Sequence, residues 1–176
     1  MSKLTETIYL IGFMGSGKST IARMLQNYLG CKLVEMDEQI VEEQGMSIND
    51  IFAQYGEDRF RDIESELVAR IGAEGGAVVS CGGGVVVRPK NTQTMKQTGR
   101  IIFLTASPET IYERVKNSTD RPILNGHMNV EYIAELMEKR RSLYEEACDI
   151  RIVTDGKTKE TIAQEIIDAM GLTKCE

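Results

Sequence analysis

The stretch Gly12-Phe13-Met14-Gly15-Ser16-Gly17-Lys18-Ser19 fits the phosphate-cradling pattern G-x-x-x-x-G-K-[ST], and Thr20 adds a second hydroxyl directly after it. An apolar, β-rich run, Ile8-Tyr9-Leu10-Ile11, leads into the stretch, and an amphipathic segment from Ile21 to Leu29 leaves it. That strand-loop-helix order is the one the motif needs. The glycines Gly12, Gly15 and Gly17 let the backbone come close to an anion, so that successive amides point into one concave nest. A helix opening near Lys18 adds its positive dipole end. Lys18 then reaches the β- and γ-phosphates of a nucleotide, and the Ser19 hydroxyl takes a place on Mg²⁺. A plain turn between strand and helix needs neither a lysine at that spacing nor two hydroxyls after it.

The remaining chain must supply an acceptor. At 176 residues it has the length of one domain, enough to bury about two-thirds of its unfolded surface. A formal charge of -6 argues against a nucleic-acid or membrane-surface binder, so any anion site is local. Cys31, Cys81, Cys148 and Cys175 lie far apart without a C-x-x-C pair, which disfavours zinc and a disulfide framework and suits a reducing, cytoplasmic setting. No run approaches membrane-spanning length, and the short apolar run near Leu10 does not resemble a signal peptide.

Strand and helix patterns alternate along the chain, which predicts an α/β fold with a parallel sheet. Cys31 to Val34 reads as a second strand, ending at Glu35-Met36-Asp37, and the carboxyl ends of such strands are where α/β sheets bind ligands. Glu35 and Asp37, two apart, face one side if the chain is extended there. Asp37 is placed to accept a proton from an attacking hydroxyl and Glu35 to hold Mg²⁺ through water. Both equally suit the first turn of a following helix, where acids meet the positive dipole end; the phosphate loop upstream tips Asp37 toward the site.

A helix is expected from Glu38 to Gln44, then a capped short helix from Ser47 through Phe52, a turn at Tyr55-Gly56 and a longer helix from Glu57 to Ile71. Phe60 reads as inward. Arg59 and Arg61 fall on different faces, because two helical steps rotate by about 200°, and composition leaves the choice between them open. Ala77 to Ser80 is a short apolar strand running into Gly82-Gly83-Gly84, bare backbone against which a substrate can lie. Arg100 to Thr105 is another buried strand, and Ser107-Pro108-Glu109 opens a helix. The polar segment 116–126, with Arg121 inside it and Arg114 just before it, suits either a mobile flap that delivers an arginine or a surface loop. His127 reads as a solvated loop residue. A helix over Val130 to Ala147, a last strand over Asp149 to Val153, a turn at Thr154 to Lys157 and a helix over Thr161 to Met170 complete the pattern.

These residues resemble the shikimate kinase family, nearly end to end and in family order: the loop at Gly12 to Ser19, Asp37, Phe60-Arg61 with Glu64 beyond, Gly82-Gly83-Gly84, Asp120-Arg121-Pro122, and Arg140 four residues before Tyr144. The resemblance implies a three-layer P-loop fold with a five-stranded parallel sheet in the order 2-3-1-4-5, in one kinase domain with substrate-binding helices at about 37–64 and a lid at about 115–127. It implies phosphorylation of the shikimate 3-hydroxyl by ATP with Mg²⁺. Arg61 and Arg140, rather than Arg59 and Arg141, would hold the shikimate carboxylate, since guanidinium forks match planar carboxylates. Asp37 would orient or deprotonate the hydroxyl, Gly82 to Gly84 would present backbone donors, and Phe52 and Phe60 would wall the ring. Lys18 and the lid arginine Arg121 would act on the phosphoryl group, and Arg114 and Lys157 would lie on the adenine side.

Two departures stand out: Glu35-Met36-Asp37 replaces the usual Asp-x-Asp, and Ser142 stands where the family commonly has a proline. A monomer is expected. The rival readings are another small-metabolite kinase, such as a gluconate kinase, or a non-catalytic nucleotide-binding module.

Overall fold

The computed structural model describes residues 4–118 and 126–175. Five parallel strands, β1 (Thr7–Ile11), β2 (Lys32–Glu35), β3 (Ala77–Ser80), β4 (Gly99–Thr105) and β5 (Ile150–Val153), form one sheet in the order β2-β3-β1-β4-β5. Among the described residues, seven helices lie on its faces: α1 (Lys18–Leu29), α2 (Met36–Gln44), α3 (Ile48–Glu74), α4 (Pro89–Thr98), α5 (Pro108–Val115), α6 (Val130–Ala147) and α7 (Lys159–Ala169). A short 3₁₀ turn, Val85–Val87, follows the three glycines.

Alternation along buried strands sends side chains to two cores. Ile8, Leu10, Val78, Ile102, Leu104 and Ile152 pack against α1 and α7. Tyr9, Ile11, Val79, Ile101 and Phe103 pack on the other face, against α3, α4 and α6. Burying Ile21, Leu25 and Leu29 of α1 contributes about 1.5–3 kcal/mol per side chain, against roughly 0–1 kcal/mol for an exposed ion pair such as Lys32–Glu74. Packing therefore sets where α1 lies, and with it the loop at its N-terminus.

The expected elements recur with small shifts, and one of them matters. Helix α3 is interrupted at Gly56 (φ 81°, ψ 171°), which is the turn expected there, and Ser47 caps its start by accepting from the Asp50 amide at 3.1 Å. Helix α2, however, begins at Met36 and not at Glu38. Asp37 thus lies in a helical first turn, so the extended stretch that would have aimed Glu35 and Asp37 to one side does not exist. The strand ends at Glu35, and the dipole of α2 favours the acids at once.

The C-terminal edge is tied together by Asp155, in the turn after β5. Its carboxylate accepts from the Ser107 amide (3.0 Å), the Ser107 hydroxyl (2.9 Å) and the Thr110 hydroxyl (2.5 Å), while Ser107 caps α5 by accepting from the Thr110 amide. Burial pushes the Asp155 pKa up, but the hydrogen bonds from Thr110 and Ser107 outweigh it and hold the carboxyl below its usual range. A carboxyl whose folded pKa is depressed adds stability that is present above its unfolded value and lost as pH falls through the folded one. Asp155→Ala should cost about 1–3 kcal/mol at neutral pH, and chemical denaturation should show the gap to wild type closing below about pH 4.

Candidate active site

Every strand ends on the same edge, and the phosphate loop crosses it. Gly12 (φ 149°) passes so near the Leu104 carbonyl that a Cβ has no room, and a Cβ on Gly15 (φ 76°) would stand 2.6 Å from Val115 Cγ1. Only glycine fits at these two points. The Lys18 ammonium folds over the loop and donates to the carbonyls of Gly12 (2.8 Å) and Phe13 (3.0 Å). Arg114, from the last turn of α5, donates to the Gly15 carbonyl at 3.1 Å and to the Thr154 hydroxyl at 3.3 Å.

Parallel register then brings oxygen atoms together beside the loop. Ser80, the last residue of β3, pairs with Glu35 in β2 and with Leu10 in β1. The Ser19 hydroxyl donates to Glu35 Oε2 at 2.8 Å and lies 3.2 Å from the Ser80 hydroxyl. Among the described residues, buried Glu35 Oε1 has no hydrogen-bond partner, and Arg23 pairs with it at 3.6 Å. This all-oxygen set fits a hard divalent cation. Among the described residues no group of three or more His, Cys, Asp or Glu could hold a metal.

A second set of groups gathers on Gly82-Gly83-Gly84. A Cβ on Gly82 would lie 2.9 Å from Glu64 Oε2 and 3.0 Å from Asp37 Oδ1, so the two carboxylates flank the bare backbone. The space beside Gly84 is filled by the Arg61 guanidinium, and Arg140 Nη1 and the Tyr144 hydroxyl lie 3.6 and 3.8 Å from the corresponding point on Gly83. Arg61 is buried and donates to Glu64 Oε1 at 3.0 Å and to Glu57 Oε1 at 3.2 Å. Burial drives the Glu64 pKa up; Arg61 opposes the rise, Asp37 adds to it and Arg140 opposes it in turn. The buried Tyr144 phenol, its pKa also raised by burial, keeps its proton and donates it to the Gly83 carbonyl at 2.5 Å. Burial pushes the Cys81 thiol far up, which removes it as a nucleophile.

One cavity of about 480 Å³ joins the two halves; Lys18, Ser19, Glu35, Asp37, Gly83 and Arg114 all line it. Arg61 is buried within the site while Arg59 is exposed and pairs with Glu66, which separates two arginines that composition could not. Phe60 is buried and lies 4.8 Å, ring to ring, from the half-exposed Phe52. The Lys157 ammonium pairs with Glu165 at 2.8 Å and is absent from the cavity wall. Arg121 lies outside the described residues. His127 is exposed, with its ring 5.0 Å from that of Tyr132. Ser80 reads in the sequence as an ordinary strand residue; its one signal is its place two residues before the glycines.

A nest of amides under a lysine shares one cavity with the Asp37 carboxylate and the Gly83 backbone, and two further guanidinium groups, Arg61 and Arg140, lie against Gly84 and Gly83. In class the molecule is therefore a phosphate-loop phosphotransferase. The family model described as shikimate kinase matches residues 14–171. A shikimate kinase of Geobacter sulfurreducens is 43% identical over 161 residues, covering 92% of this chain and 88% of the relative. One of Thermodesulfovibrio yellowstonii is 44% identical over 162 residues, covering 92% and 93%. The solved structure of the Acinetobacter baumannii shikimate kinase in complex with shikimate superposes with a TM-score of 0.89 at 28% identity, covering 96% of this chain and 94% of that one. The chain belongs to the shikimate kinase family, and it is an ATP-dependent kinase.

The glycine geometry separates two neighbouring substitutions. Gly84→Ala should evict Arg61 from Glu64 and cost on the order of 3 kcal/mol in chemical denaturation. Gly83→Ala meets only ordinary contacts and should cost much less.

Proposed function

We propose that the chain transfers the γ-phosphoryl group of ATP to the 3-hydroxyl of shikimate, giving 3-phosphoshikimate and ADP. The observation that carries this reading is the convergence of Arg61 and Arg140 on Gly84 and Gly83, beside Asp37 and in reach of the Lys18 cavity. Two guanidinium groups at one end of a substrate suit a carboxylate, and a carboxylate at the other suits a hydroxyl nucleophile.

Arg61 and Arg140 hold the shikimate carboxylate, Phe60 and Phe52 wall the ring, and the backbone at Gly82 to Gly84 meets its hydroxyls. Buried Glu64 is a positioning residue that keeps the Arg61 fork turned toward Gly84. Asp37 accepts a hydrogen bond from the 3-hydroxyl and takes its proton on a carboxylate oxygen as the new O–P bond forms. The bond from the γ-phosphorus to the bridging oxygen breaks, and ADP leaves with that electron pair. The transition state is loose and spreads negative charge, so alignment and fixed positive charge do most of the work. Lys18 and the loop amides, with Gly12, Gly15, Ser16, Gly17 and Thr20 shaping the turn, supply that charge, and Arg121 of the lid adds to it. Ser19, with Glu35 through water, would hold Mg²⁺, which would supply neutralising positive charge to the nucleotide phosphates. Arg114 flanks the adenine, with Lys157 on the same side.

A coupled ADP-release assay over a panel of hydroxy acids, gluconate included, tests the reading; turnover with shikimate is expected, and none at all would refute it. Asp37→Asn should lower kcat by about 10²–10⁴-fold while the affinity for a non-hydrolysable ATP analogue stays near wild type. Arg140→Ala should raise the shikimate KM by about tenfold or more, and an unchanged KM would remove it from the carboxylate site.

A further inference from the structure

Behind the phosphate loop, on the side away from the nucleotide, lies a second cavity of about 400 Å³. The loop residues divide between the two spaces. Met14, Gly15, Gly17, Lys18, Ser19 and Thr20 line the nucleotide cavity, whereas Phe13 and Ser16 line the one behind it. The second cavity exists because α6 covers β4 but leaves the same face of β5 open. Arg151 and Val153 of β5, both exposed, form its outer floor, with Phe103 further in and Ala134 and Met137 of α6 as a wall.

Two features mark it as a binding site and not only a packing defect. Ser16 is 1% exposed, and its hydroxyl has no hydrogen-bond partner among the described residues. An unsatisfied buried hydroxyl costs about 1–3 kcal/mol, which a ligand atom can offset. The charges at the rim are also unequally engaged. Asp155 is occupied by Ser107 and Thr110, and Glu138 and Glu145 both accept from Arg141 at 3.3 and 3.1 Å. Among the described residues Arg151 has only Glu145, at 3.9 Å and already shared. Its guanidinium is the rim cation most open to a new anion.

We propose that this cavity is a second ligand site, for a small molecule with a flat apolar body and one carboxylate. The body lies on Phe103 and Met137, the carboxylate meets Arg151, and a polar atom of the ligand reaches Ser16 Oγ. The size lies toward the lower end of the range for small-molecule pockets, about 300–1,000 Å³. Because Phe13 and Ser16 are loop residues, whatever fills the space acts on the loop from behind. Ligand and nucleotide therefore change each other's affinity by the same factor. The proposal does not depend on which acceptor the enzyme phosphorylates.

The chain contains no tryptophan, so the fluorescence anisotropy of an added indole can be read without interference from protein indole. Three probes share one body and differ in charge: indole-3-acetate, indole and tryptamine. Indole-3-acetate is expected to bind once per chain, about tenfold tighter than the other two, a factor set by one charged hydrogen bond. Arg151→Gln should remove that advantage and leave indole unchanged, and Ala134→Phe should fill the space and abolish binding of all three. Arg151→Gln alters an exposed side chain outside the phosphoryl-transfer site, so it decides the matter even if Ala134→Phe fails to fold. Equal binding of the three probes, no effect of Arg151→Gln, or no anisotropy change up to the solubility limit would each overturn the site. An unchanged affinity for a non-hydrolysable ATP analogue in probe-saturated protein would overturn the coupling.

Discussion

Strand β3 sits between β2 and β1, and its register places Ser80 beside Glu35 on one side and Leu10 on the other. The rest of the site depends on that pairing. Leu10 is two residues before Gly12, so the phosphate loop leaves the sheet level with the end of β2. The Ser19, Glu35 and Ser80 oxygens meet there, and the three glycines after β3 are delivered to the same edge. A shift of one residue in the β2–β3 register would turn Ser80 to the opposite face and dissolve the oxygen cluster.

The acceptor half is held by charge in a place where charge is costly. Arg61 and Glu64, both buried, crowd around Gly82 and Gly84, with the exposed Asp37 at their edge. Buried ion pairs of this kind add little net stability, because desolvation offsets most of the attraction. Their effect here is geometric. Glu64 accepts one arm of Arg61 and Glu57 another, which leaves the planar fork in one orientation against the glycines. Burial raises the Glu64 pKa, with Arg61 and Arg140 opposing the rise and Asp37 adding to it.

Much of this was legible beforehand, and the reasons differ by residue. The phosphate loop could be read because its glycines, lysine and hydroxyls answer a local demand of backbone geometry within a few residues. Asp37 was found for a partly mistaken reason. Alternation along an extended chain would have aimed it, but the helix begins at Met36, and Asp37 reaches the site from the first turn of α2. Arg61 and Arg59 were indistinguishable by composition, since both sit beside Phe60 on one helix. Burial separates them, and burial depends on where α3 lies after its break at Gly56. Ser80 was invisible because a serine closing a short strand carries no pattern of its own.

Fold class, phosphate loop and the inventory of chemical groups can be read along the chain, because periodicity, glycine spacing and charge are properties of near neighbours. Which of those groups meet is settled by packing. It set Ser80 against Ser19, turned Ser16 to the back of the loop while Lys18 faces forward, and buried Arg61 while leaving Arg59 exposed. Each of these follows from strand register and helix placement, which are set by packing between residues far apart in the chain.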